Sequence, residues 1–158
     1  MALPPSDFDA RDIYTAQYFD GSQPDGYANY ADSEAVLRSE FRKTVTYLVE
    51  AGARPGRLLE VGSAYGFFLA EAAAHFQSTG VELCREAAEF AQRRGLDVRV
   101  GPVDEVLTER QEPFSVAVML DVIEHLPDPA AAVRAVGDRL APEGLLLITT
   151  GDWGSLFA

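Results

Sequence analysis

The chain has 158 residues, 47% of them hydrophobic, and a formal net charge of −12 from 13 basic and 25 acidic side chains. That length and apolar share point to one domain with one core, and the excess of acid repels a phosphate backbone, which sets nucleic acid aside as a partner. A single cysteine, Cys84, excludes an intramolecular disulfide framework and a four-cysteine zinc site, so a reducing, cytoplasmic setting is expected.

The opening "MALPPSDFDARD" carries neither a basic leader nor an apolar h-region, and no run reaches the roughly 18 to 20 apolar residues of a membrane span, so no membrane partner is expected. Residues 1–31 read as an arm: Tyr14, Tyr18, Phe19, Tyr27 and Tyr30 stand among Gly, Pro, Asp and Ser, which is turn-rich but too aromatic for a plain tail. In "DSEAVLRSEFRKTVTYLVEAG", Val36, Leu37, Phe41, Val45 and Leu48 recur at helical spacing. Asp32 or Ser33 can cap that helix and Gly52 can end it.

From residue 57 the pattern alternates. Strands are expected at 57–62, 78–83, 97–101, 114–120 and 144–150, with helices at 66–76, 85–94, about 104–109 and 129–140. "RLLEV", "SVAVML" and "LLLITT" are almost continuously apolar, as strands buried on both faces of a parallel sheet should be. The expected fold is therefore α/β, a doubly wound, mostly parallel sheet of about five strands with helices on both faces, preceded by the arm and the first helix. Asp128 is placed to cap the last helix with Pro129 at its first position, and Gly144 to supply any positive φ in the turn "PEG".

In such a sheet ligands bind beyond the carboxyl ends of the strands, so the turn in "RLLEVGSAYGFFLAEAAAHF" carries the functional question. A dinucleotide loop, G-x-G-x-x-G, needs its third glycine where this chain has Phe67, which argues against pyrophosphate binding and against an NAD-linked oxidoreductase. The observed spacing is Glu60, Gly62, Ala64, Gly66. Alanine in the middle is tolerable if its φ stays negative. Glu82 ends the second strand, 20 residues after Gly62, where a carboxylate can accept hydrogen bonds from vicinal ribose hydroxyls.

"EVGSAYG" resembles the first motif of the class I S-adenosylmethionine-dependent methyltransferases, an acidic residue followed by G-x-G-x-G, and "EPFSVAVMLDVIEHLPDP" closely resembles the fourth-strand motif of their small-molecule, ubiquinone-biosynthesis-like members. The resemblance implies a Rossmann-like domain over residues 32–158 that binds S-adenosyl-L-methionine. It implies Glu60, Gly62, Ala64 and Gly66 around the methionine and ribose, Glu82 on the ribose and Leu83 over one adenine face. Val103 of "GPVDEV" would read the adenine edge, although Pro102 stands where many members carry aspartate, and the Leu120 carbonyl would help hold the ammonium. The aromatic arm resembles the lid of methyltransferases of polyketide, glycan and lipid biosynthesis, with Tyr14, Tyr18 and Tyr30 available to pack on cofactor or substrate; Tyr18 is the one assigned to the cofactor.

The implied reaction is methyl transfer to a small-molecule or carrier-bound metabolite at oxygen, with a non-catalytic cofactor-binding module as the alternative. His125, past the fourth strand, is the candidate base, against the plainer reading that it caps the turn. His75 reads as a helix-end residue and Cys84 as a buried filler. Asp121, Glu124 and His125 could suggest a metal, but Asp152 alone would supply the further carboxylates, so no metal is expected. Members of the family continue past the fifth strand with another helix and a hairpin, where this chain has "GDWGSLFA". The chain is thus expected either to be a fragment of a longer protein, truncated after the fifth strand, or to expose an edge there that a second copy covers together with Trp153, Leu156 and Phe157.

Overall fold

A computed structural model describes residues 13–23, 29–106 and 112–151. Five strands, β1 (Gly56–Val61), β2 (Phe76–Glu82), β3 (Asp97–Val100), β4 (Phe114–Leu120) and β5 (Leu140–Thr149), form one sheet in the order β3, β2, β1, β4, β5, with every pairing parallel. The helices are α1 (Ala16–Asp20), α2 (Glu34–Glu50), α3 (Phe67–Ala72), α4 (Arg85–Arg93), α5 (Val103–Val106) and α6 (Pro129–Gly137), with short 3₁₀ turns at Ala31–Ser33 and Ile123–His125.

Alternate residues of the central strands feed two cores. Leu58, Val116 and Val118 pack with Val45 and Leu48 of α2, Phe68 and Leu69 of α3 and Ala88 and Ala91 of α4. Leu59, Val61, Ala117 and Met119 pack with Val103 of α5 and Val136 of α6. Because both faces are covered, β1 and β4 tolerate apolar side chains at almost every position. A third, aromatic layer joins the arm to the domain: Phe19, Tyr30 and Phe67 with Ala64, Cys84 and Ala87. Tyr30 stacks on Phe67 at 5.5 Å, and Tyr65 on Phe90 at 4.5 Å.

Three local differences from the sequence expectation have physical causes. The helix after the glycine turn ends at Ala72, because Gly56 at the start of β1 pairs with Phe76 and draws that residue into β2. The fifth strand starts at Leu140, paired with Phe114, and regains its register at Leu145 opposite Val116 after an irregular stretch. In that stretch the positive φ falls on Glu143, at 63°, and not on Gly144. Gly144 is needed for closeness instead: a methyl group there would lie 2.9 Å from the Ala141 carbonyl oxygen. Asp128 caps α6 as expected, accepting the Ala131 N–H at 2.8 Å with Pro129 at the first turn. Ser33 precedes α2 without a side-chain cap.

Among the described residues β5 hydrogen-bonds to β4 on one side and lies at the sheet's edge. Trp153, Leu156 and Phe157, expected to join that edge, lie outside the described residues, as do Tyr27 and Asp152.

Gly66 precedes α3 with φ 74°, and a methyl group on it would come within 2.5 Å of Leu96 Cδ1 and 3.0 Å of Ala91 Cβ. Gly66→Ala is therefore expected to destabilise the fold by about 1 to 3 kcal/mol through backbone strain and crowding, measured as a lowered midpoint in urea unfolding.

Candidate functional site

The turn between β1 and α3 is tied to the end of β2. The Gly62 and Ser63 N–H groups both donate to the Val81 carbonyl, at 2.8 and 3.1 Å, and the Gly66 N–H donates to Ser63 O at 2.8 Å. Gly62 has φ 75°, and a methyl group there would meet Val122 Cγ2 at 2.5 Å, so the first obstacle to a larger residue is the loop after β4.

Ala64 corrects the sequence reading: its φ is +45°, not negative. In this conformation its N–H donates to Glu82 Oε2 at 2.7 Å while its methyl group packs among Phe19, Tyr30 and Phe67. An L-residue in the left-handed region costs about 1 to 2 kcal/mol, and the charge-assisted hydrogen bond and the aromatic packing offset that cost.

A cavity of about 670 Å³ opens at the carboxyl ends of the strands. Tyr18, Gly62, Ala64, Glu82, Leu83, Val103, Leu120 and His125, all singled out from sequence, line it together. Glu60 and Gly66 do not. Glu60 lies buried behind the turn, 4% exposed, and Gly66 faces Leu96 and Ala91. Asp104 and Val122 also line the cavity and were not anticipated. Asp104 follows Pro102 by two residues, so a carboxylate reaches this wall from a shifted position. Its signal was present in "GPVDEV" but masked by the proline.

Glu82 is almost fully buried and well supported, with Oε2 accepting from Ala64 N and Oε1 from Cys84 N at 2.8 Å. Burial raises its carboxyl above the usual range, while those backbone donors pull it back down. Glu60 lacks such help: among the described residues its Oε2 is buried without a hydrogen-bond partner, as is the Ser63 hydroxyl. Burial, then the charge of Glu82, holds the Glu60 carboxyl well above its ordinary range. Tyr18 is raised too, by burial and then by Glu124 and Glu82.

His125 is exposed at the rim, its ring 5.9 Å from Tyr14 at 72°, and Tyr14 in turn meets Tyr18 edge-on at 5.0 Å. The arm thus reaches across the cavity to the loop after β4. His75 sits at the opposite end of the sheet, exposed in the turn before β2. Cys84 is buried, and burial pushes its thiol up to about 11. Among the described residues no three His, Cys, Asp or Glu side chains converge as metal ligands would.

Because the folded chain keeps a proton on Glu60 that the unfolded chain gives up, stability contributed here is complete below the ordinary carboxyl range and is lost as pH rises toward the raised value. Glu60→Gln cannot titrate. Urea midpoints compared between about pH 5 and pH 8 are expected to fall with pH more steeply in the parent than in the variant.

Comparison with known proteins agrees with this geometry. A family profile described as a methyltransferase domain matches residues 33–156. A ubiquinone biosynthesis O-methyltransferase from Bordetella bronchiseptica is 34% identical over 108 residues, covering 63% of this chain and 45% of that protein. One from Xanthomonas campestris is 34% identical over 113 residues, covering 66% and 47%. The chain thus spans about half the length of these curated relatives. Among solved structures, an amino pentose methyltransferase of calicheamicin biosynthesis from Micromonospora echinaspora, with S-adenosylmethionine bound, superposes with a TM-score of 0.57 at 25% identity, over 78% of this chain and 51% of that one. A Thermotoga maritima S-adenosylmethionine-dependent methyltransferase, described as a possible histamine N-methyltransferase, gives 0.59 at 28% identity over 77% and 57%. The fold, the glycine turn backed by Glu82 and the span of the family match agree: the chain belongs to the class I S-adenosylmethionine-dependent methyltransferases.

Proposed function

We propose that this domain binds S-adenosylmethionine in the cavity at the carboxyl ends of β1, β2 and β4 and directs its methyl group to an oxygen of a small-molecule or carrier-bound acceptor. The observation that carries this reading is Glu82. Each of its oxygens is fixed by one backbone N–H, yet the residue lines the cavity, so its remaining lone pairs are available to vicinal hydroxyls. The choice of oxygen rests on the ubiquinone O-methyltransferase relatives, and no observation singles out a carrier.

The residues present suit this cofactor. Gly62 leaves backbone at the cavity wall, and Val61, Val81, Leu83 and Val103 give the apolar surface an adenine needs. Buried Phe67, stacked on Tyr30, fills the place where a dinucleotide site requires its third glycine. When bound, the cofactor supplies a methyl group on a sulfonium, open to in-line displacement. The protein's share would be alignment and dryness: Glu82 would hold the ribose, the Leu120 carbonyl would help hold the ammonium, and Tyr14 and Tyr18 of the arm would exclude water. His125, at the rim beside Tyr14, accepts the proton that an acceptor hydroxyl loses as its oxygen is methylated.

Calorimetric titration with S-adenosylmethionine, S-adenosylhomocysteine and NAD tests the reading, with tight NAD binding and no response to the other two overturning it. Glu82→Leu is expected to weaken S-adenosylmethionine binding by about 1.5 to 3 kcal/mol, roughly ten- to hundredfold. In a methyl-transfer assay on hydroxylated acceptors, His125→Asn is expected to lower kcat by about a hundredfold or more with the cofactor dissociation constant unchanged. Cofactor binding by the parent chain without any turnover would favour the non-catalytic binding module.

A further inference from the structure

Two buried carboxylates assigned to different tasks lie on one face of adjacent strands, Glu60 behind the cavity wall and Glu82 lining it. Glu60 stands opposite Gly80 in the β1 to β2 register, and Glu82 lies two residues further along β2. They are 4% and 5% exposed. Glu82 has two backbone donors, whereas Glu60 Oε2 and the Ser63 hydroxyl beside the strand end have none. Burial opposes charge on either carboxylate, and the charge of Glu82 further raises the proton affinity of Glu60. The difference in hydrogen bonding decides between them: the anion rests on Glu82 and the proton on Glu60. Of the groups around Glu60, Gly80 and Val118 on the flanking strands are apolar, and Glu82 is the charged group that acts on it.

We propose that the Glu60–Glu82 pair holds one proton in the free domain and releases it when S-adenosylmethionine fills the cavity, so that the pair senses the ligand's positive charge. This rests on the reading of the cavity as the S-adenosylmethionine site. Ligand hydroxyls donating to Glu82 disperse its charge, and the ligand's ammonium and sulfonium favour a second anion nearby; both act in one direction. No opposing desolvation arises at Glu60, which is already cut off from solvent and does not line the cavity. The O–H bond of the Glu60 carboxyl breaks, its electron pair stays on the carboxylate, and the proton passes to the buffer. The cofactor itself is unchanged. Because binding then releases a proton, affinity rises with pH until the pair is ionised in the free domain and is level above that.

The test is calorimetric titration of the full chain in two buffers of different ionisation enthalpy at one pH. S-adenosylmethionine is expected to release about one proton per site, and S-adenosylhomocysteine, whose sulfur is uncharged, fewer. Glu60→Gln is expected to bind with no proton release and with a dissociation constant that no longer varies with pH. An infrared difference spectrum of the parent chain gives a second reading that needs no variant: the carbonyl band of a protonated carboxyl group should disappear on binding. Heat independent of buffer, equal release by Glu60→Gln, or a free domain without that band overturns the proposal while leaving the cofactor site intact. No binding to either ligand overturns the cavity reading itself.

Discussion

The hydrogen bond from the Ala64 N–H to Glu82 holds the site together. It fastens the turn after the first strand to the end of the second, and it does so with a buried carboxylate that also lines the cavity. Much of the local geometry follows from it. Ala64 adopts a left-handed backbone to present its N–H, the loop after β4 crowds Gly62 through Val122, and Glu60 is left behind the turn with an oxygen that nothing satisfies. A charged acceptor bonded to two amides is among the stronger links available to a buried loop, and here it stands where precision matters most.

The rest of the domain holds that link still. Arg38 of α2 reaches Glu71 of α3 at 2.5 Å, and Glu34 of α2 takes Arg94 beyond α4 at 2.9 Å, so the long helix α2 braces α3 and the end of α4. Arg94 also lies over the rings of Phe67 and Phe90, closing the aromatic layer from outside. Partly exposed ion pairs of this kind contribute modestly individually, but these connect elements distant in sequence.

What the sequence made legible was whatever depends on periodicity and on residue type. Continuous apolar runs revealed β1, β4 and β5, and the glycine spacing with Glu82 located the cavity. The misses share a cause, in that a partner distant in sequence overrode the local preference. Phe76 was drawn from a helical pattern by pairing with Gly56, Leu140 joined its strand because Phe114 offers a partner, and Ala64 took a positive φ because Glu82 lies above its N–H. Glu60 illustrates the same limit for the site. Its motif marks it as functional, but that it lies behind the cavity wall depends on packing that no local pattern encodes.

The parallel sheet also gives the molecule two unlike ends. Everything that touches the cavity gathers at one, while the other carries Gln77, Glu112 and Pro113, all exposed and none lining the cavity. Cys84, the chain's one native thiol, is buried and, with its pKa near 11, largely protonated in neutral buffer. A cysteine introduced at the far end is thus the sole thiol open to maleimide chemistry under native conditions. A dye or surface tether placed there leaves the cavity facing solution, and the domain can be immobilised in one orientation for single-molecule observation of its arm.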